Sequence, residues 1–262
     1  MNRIYTKAVV CALTSLLLMG ASQASAYSKY HQGYIEKISD GDTVWFQPGS
    51  RRLAEVGESL FNSDLGWGGA STRLKIRMMG MDSPESQLPT KKYGVVGQGN
   101  WGKRATQYLN RLVHVNERVV LQDLGNDKYR RTLGYLFNKD KADINLAMVL
   151  GGYAIPYIIC SGRSCNPSFF KEQRVREYFM TCDEARRARR GIFNPSNPLR
   201  EMPFEFRLRM MERTPEKFVV DYDSHELYMP EDYKEVDVCR RIFFMRSEDA
   251  LKMGFKWSDI YE

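Results

Sequence analysis

Four short segments of the 262-residue chain carry residue types suited to one chemistry. They are Asp40-Gly41-Asp42-Thr43, Arg77, Asp82-Ser83-Pro84-Glu85 and Asp127-Lys128-Tyr129-Arg130-Arg131. Carboxylates hold a hard cation and activate water, and arginines clamp a phosphate and stabilise the charge that builds on it. Each segment alone has a bland explanation. Asp-Gly-Asp reads as a hairpin turn, Glu85 as an acid following a proline, and Arg131 as a surface charge beside Lys128 and Arg130. Together and in this order they are the components of a phosphodiesterase.

Hydrolysing a phosphodiester requires removing on the order of 8–23 kcal/mol from the barrier, so several effects must combine. Asp42 and Asp82 end strand-like segments, and with a backbone carbonyl and waters they make an oxygen-only site suited to calcium. Asp40 and Thr43 stand beside them as a further ligand or supporting partners. Gly41 lets the chain turn sharply between the two aspartates. Glu85 is placed to take a proton from the attacking water. Arg77 and Arg131 can each grip a phosphoryl oxygen bidentately. Tyr129 can stack on or hydrogen-bond to a nucleotide beside Lys128.

These residues need rigid mounts. Apolar and polar residues alternate from Tyr34 to Phe46 around the Asp-Gly-Asp turn, which predicts a strand pair. Alternation from Arg73 to Met81 predicts a strand with Arg77 on its polar face. A long irregular stretch from Ser83 to Gly99 follows. Trp101 to Val113 has helical spacing. Val119–Leu124 and Thr132–Phe137 read as strands joined by a turn at Gly125-Asn126-Asp127. Ile144–Leu150 reads as a short helix capped by Asp143. Tyr153–Ile159 is apolar and broken by Pro156. Phe169–Arg190 is a long helix ending at Gly191. Strands with a few packed helices predict an α+β fold built on a small barrel. The excursion 47–72, rich in Gly and Ser, stands apart from this pattern. A breaker cluster at Asn194-Pro195-Ser196-Asn197-Pro198 marks a boundary. Beyond it Phe218–Tyr222 reads as a strand and Ser247–Met253 as a short helix. The expected organisation is a leader over 1–26, a barrel domain over 27–193, a linker over 194–216 and a small C-terminal module over 217–262.

The leader assignment rests on Arg3 and Lys7, the apolar run Ala8–Met19 and the small residues Ala24-Ser25-Ala26, the form of a secretory signal peptide. The apolar run is shorter than the ~20 residues a spanning helix needs. A secreted or periplasmic monomer is expected, with no membrane attachment after cleavage. Cys160, Cys165, Cys182 and Cys239 then remain, an even count in an oxidising compartment. Four cysteines allow three pairings, and Cys160–Cys165 with Cys182–Cys239 is the favoured one. Zinc is disfavoured, because His31, His114 and His225 are scattered. The net charge is +7. The leader holds two of those charges and the segment from Asp221 to Glu262 carries −5, so residues 27–220 carry +10. A basic body of this kind suits a polyanionic partner.

The four segments, with the Ile-Asn-x-Ala-x-Val-x-x-Gly-x-Ala pattern from Ile144 to Ala154, resemble the staphylococcal nuclease family from about Tyr34 to Arg190. The resemblance implies a five-stranded OB-fold β-barrel with packed helices and calcium-dependent endonuclease activity on DNA and RNA, giving 3′-phosphate products. It implies metal ligation by Asp42, Asp82 and the Ser83 carbonyl, with Glu85 as general base. It places Arg77 and Arg131 on the scissile phosphate, and Tyr129 near the nucleotide. Tyr157 is a candidate for base stacking. The family usually has threonine where Ser83 stands and glycine where Arg130 stands, and the 47–72 excursion is longer than its usual hairpin. The segment Lys217–Trp257 is loosely similar to a C-terminal module of some secreted bacterial nucleases; with Cys239 alone it is expected to bind no metal. The competing expectation is a catalytically silent nucleic-acid-binding or adhesion module of the same fold.

Overall fold

The structure, a computed structural model, describes residues 29–49, 73–160 and 173–261. The expected leader, most of the 47–72 excursion and Cys165 lie outside the described residues.

Strands β1 (Lys29–Asp40) and β2 (Thr43–Pro48) pair antiparallel on either side of the Asp40-Gly41-Asp42 turn, as the alternation predicts. The next alternating run divides. Strand β3 (Leu74–Met78) pairs with β2, whereas β4 (Gly80–Asp82) leaves for a different sheet. The break falls at Gly80, whose φ of +78° is a conformation that side chains with a Cβ rarely adopt. A Cβ there would also meet the buried Tyr178 ring at 2.8 Å. The irregular stretch contains a small hairpin, β5 (Leu88–Thr90) with β6 (Gly94–Val96), and helix α1 (Gly99–Leu112) follows.

Strands β7 (Arg118–Asn126) and β8 (Thr132–Phe137) complete a closed barrel in the order β1-β2-β3-β8-β7. The β3–β8 pair is parallel, and β1 against β7 closes the ring. Alternate residues Ile35, Val44, Phe46, Ile76, Met78, Leu121 and Leu136 are buried, which is how a period of two fills a barrel. This is the five-stranded α+β barrel that the sequence predicts. Helix α2 (Ile144–Leu150) begins at Asp143, whose carboxylate accepts from the Leu146 N–H at 3.0 Å. Its fully buried Asn145 donates to the Met79 and Gly134 carbonyls at 3.0 and 3.1 Å and accepts from the Leu136 N–H at 3.1 Å. That amide joins β8 to the β3–β4 break and fixes where β4 departs.

Strand β9 (Ile155–Cys160) pairs with β4, and helix α3 (Gln173–Arg187) packs on the barrel side. The helix stops earlier than expected: Arg189, with φ of +54°, makes the left-handed turn ahead of Gly191.

Beyond it, the stretch expected as a linker contains helix α4 (Pro203–Met210). Strands β10 (Phe218–Asp221), β11 (Glu226–Tyr228) and β12 (Arg241–Phe244), helix α5 (Ser247–Lys252) and strand β13 (Lys256–Trp257) follow. They join β9 and β4 in one sheet, ordered β13-β11-β10-β12-β9-β4, with β12 parallel to β9. The C-terminal strands therefore extend a sheet that begins at the barrel. A disulfide from Cys182 in α3 to Cys239 before β12 ties the same two parts, in the pairing the sequence favours. Cys160 is also disulfide-bonded, and its expected partner Cys165 lies outside the described residues. Among the described residues no helix is long and apolar enough to cross a membrane.

Candidate active site

Three backbone features bring the acidic residues together. The β1–β2 turn presents Asp42, β3 presents Arg77 opposite Thr43, and β4 ends at Asp82 with Ser83 and Glu85 just beyond. Asp42, Asp82 and Ser83 are essentially inaccessible to solvent, and Glu85 is nearly so. Buried carboxylates persist only with partners, and these have them. Arg77 pairs with Asp42 and, at 2.6 Å, with Asp82. Asp42 also accepts from the Thr43 hydroxyl at 3.0 Å and from the Ser83 hydroxyl and N–H at 3.2 and 3.3 Å. Asp40 accepts from the Gly41 N–H at 2.7 Å and from the Ser86 N–H at 3.4 Å.

Glu85 is held from three sides. Its N–H donates to the Gln98 side-chain carbonyl at 3.0 Å, and its own carbonyl accepts from the Gln98 N–H at 2.8 Å. Helix α1 presses on it through Gly102, where a Cβ would lie 2.2 Å from the Glu85 carbonyl oxygen. The third contact was not legible in the sequence. Arg207, on α4, spans Asp82 with 2.7 and 2.8 Å bonds and reaches the Glu85 carboxylate at 2.7 Å. Gln98 adds a second link to that region, donating to the Glu201 carbonyl at 2.9 Å.

The electrostatics follow from this crowding. Burial pushes the Glu85 carboxyl up to about 7; Arg207 opposes the rise, and the charges of Asp42 and Asp82 add to it. Burial and the Asp42 charge push Asp40 up to about 6. Burial also acts to raise Asp42, but Arg77 and then Arg207 outweigh it and hold its carboxyl below the ordinary range. Four carboxylates thus face two guanidiniums, and two of the four bind protons more readily than they would in water.

The remaining predicted residues lie around this cluster rather than in it. Arg131 and Tyr129 share one open groove with Arg77 and Glu85, of about 1610 Å³. The Arg131 guanidinium binds Asp127 through Nε and Nη2, both at 2.7 Å. The preceding Arg130 has φ of +61°, so the turn keeps a left-handed residue where the family usually has glycine. Tyr129 is exposed, with the Arg131 and Lys128 charges 5.5 and 5.3 Å from its ring centre. Lys128 is exposed and stands outside the groove lining. Tyr157, also on the groove, packs against Phe204 and Phe243 with ring centres 6.0 and 5.0 Å away. The Arg207 guanidinium lies 5.8 Å from its ring.

Among the described residues no group of three or more Asp, Glu, His or Cys side chains is arranged to hold a metal by itself. The cluster nevertheless fits a hard divalent cation by its chemistry. Its donors are all oxygens, two carboxylates are deeply buried, and four carboxylates face only two guanidiniums, an imbalance of charge that such an ion relieves.

The site thus sets buried aspartates and an arginine of a closed five-stranded barrel at the wall of one groove. Residues 75–195 match the family described as staphylococcal nuclease homologue. The chain is also similar to Endonuclease YhcR of Bacillus subtilis (strain 168), at 28% identity over 234 residues. That alignment covers 88% of this chain and 17% of the relative.

Proposed function

We propose that the protein is a secreted, calcium-dependent endonuclease that hydrolyses phosphodiester bonds in DNA and RNA with little sequence preference, leaving 3′-phosphate ends. The observation that carries this reading is the buried cluster of Asp42, Asp82, Glu85 and Arg77 at the wall of the groove. Asp42, Asp82 and the Ser83 carbonyl would hold a calcium ion, which when bound supplies charge neutralisation for a phosphoryl oxygen. Asp40 and Thr43 support those ligands.

Glu85 accepts the proton of the attacking water as its oxygen bonds to phosphorus and the bond to the 5′ oxygen breaks, the leaving oxygen taking a proton from solvent water to become the 5′-hydroxyl. A carboxyl with its pKa near 7 is well matched to that task. Arg77 neutralises charge on the phosphoryl group, and Arg131, freed from Asp127, supplies a second guanidinium from across the groove. Tyr129 and Tyr157 line the path of the flanking nucleotides, and the exposed Lys128 adds positive charge beside Tyr129. The groove reads phosphate, which every sequence offers, so base preference is weak.

Product analysis tests this reading. Purified protein supplied with calcium should cut circular and single-stranded DNA and RNA internally and leave ends that a 3′-phosphatase can open. Release of 5′-phosphate ends, or cutting from termini alone, would overturn the stated chemistry. Binding without cleavage would favour the silent nucleic-acid-binding module.

A further inference from the structure

Arg207 comes from outside the matched segment 75–195, yet it makes three charge-assisted bonds inside the acidic cluster. Two go to the two oxygens of Asp82 and one to Glu85. A cation held by Asp82 needs at least one of the same oxygens. A guanidinium and a divalent ion in contact with the same small carboxylate also repel one another. Full occupancy of both is therefore unfavourable, and the two compete.

We propose that Arg207 is a displaceable internal counter-ion that sets the cation affinity of the site: its guanidinium occupies the Asp82 and Glu85 oxygens, and a divalent cation must dislodge it. The inference rests on the metal reading above and extends it to a regulatory role for the C-terminal region. Helix α4 is seated by its buried Phe204 and Phe206, and Arg207 is its tether to the acidic cluster, so release of that side chain loosens the helix without unseating it. Coupling between two binding events is reciprocal, so an arginine that weakens calcium binding must itself be loosened by calcium.

Two measurements follow. Calcium affinity is measured by titration calorimetry on the wild type, Arg207→Gln, Arg207→Lys and the control Arg209→Gln. Arg209 lies on the same helix and pairs with Glu201, so it reports any general effect of losing one positive charge. Arg207→Gln should bind calcium tighter by a factor in the range of about 5–150, typical of such couplings. Arg207→Lys should fall between it and the wild type, and Arg209→Gln should match the wild type. Separately, hydrogen exchange on the wild-type protein should show faster exchange across 203–210 in calcium than in chelator. Equal or weaker calcium binding by folded Arg207→Gln would overturn the proposal and leave the metal reading standing. So would exchange in α4 that calcium leaves unchanged, a test that requires no variant. No calcium binding by any of the proteins would overturn both.

Discussion

Glu85 is the residue on which the proposed chemistry turns, and its surroundings are built to hold it. Gln98 fixes its backbone, Gly102 lets α1 approach it, and Arg207 orients its carboxylate. Glu85→Gln removes the proton acceptor while keeping the shape, and the expected result is loss of turnover by about 10²–10⁴ with substrate binding retained. Arg77→Ala should cost about 10²–10³ in rate, since it removes a donor aimed at developing charge. Because Asp42 and Asp82 then lose a buried partner, its thermal midpoint should fall as well. Single-turnover kinetics and a melting curve on each variant check both statements, and near-normal rates would remove that residue from the site. Most of this cluster was legible in the sequence, because Asp42, Asp82, Ser83 and Glu85 lie in two short motifs with fixed spacing. Arg207 was not. It meets its partners across 122 and 125 residues, and no local pattern marks an arginine whose role is set by a tertiary contact.

At the scale of elements, the site depends on close packing between α1 and the segment after β4. Gly102 is the narrowest point, with the Glu85 carbonyl carbon 2.6 Å and the Ser86 Cα 2.7 Å from where a Cβ would stand. Alanine raises helix propensity by about 1 kcal/mol at an exposed helical position. Here it must push the Glu85–Ser86 backbone aside. Gly102→Ala should therefore lower turnover by roughly 10²-fold, the effect of a displacement near 1 Å. Unchanged rates with unchanged stability would show that the helix yields instead. The break between β3 and β4 shows why the alternating run from Arg73 to Met81 misleads. Periodicity of two runs to Met78, but Gly80 turns the chain into a second sheet, and tertiary contacts from Asn145 and Tyr178 hold that turn. The short α2 was read correctly to the residue, because its Asp143 cap is a local signal.

For the whole molecule, the main departure from a sequential picture is the integration of the C-terminal part. Breaker residues at 194–198 mark a change of direction, yet β12 pairs with β9, and Phe204 and Phe243 pack on Tyr157. Charge patterning suggested an acidic tail set apart from a basic body. The same tail segment supplies Tyr228, Tyr233, Val236 and Phe243 to a buried apolar cluster shared with Trp101, Ile155 and Phe204. The Cys182–Cys239 bridge closes 57 residues of chain across this junction. In the chain-entropy account a loop of that size is worth about 4 kcal/mol. The double variant Cys182→Ser with Cys239→Ser should lose stability of that order in denaturant titration, and a loss below about 1 kcal/mol would show that packing alone holds the junction. If α4 depends on that junction for its position, the same variant should also bind calcium more tightly.

The central claim is that the acidic cluster becomes a hydrolytic site when a hard cation joins it. The most direct measurement is cleavage of a fluorescent oligonucleotide by purified protein stripped of metal, with calcium then titrated in, and with Glu85→Gln run in parallel. Turnover that is absent in chelator, rises saturably with calcium and is lost in Glu85→Gln is the predicted result. Cleavage that persists in chelator, or that Glu85→Gln retains at the wild-type rate, would contradict it.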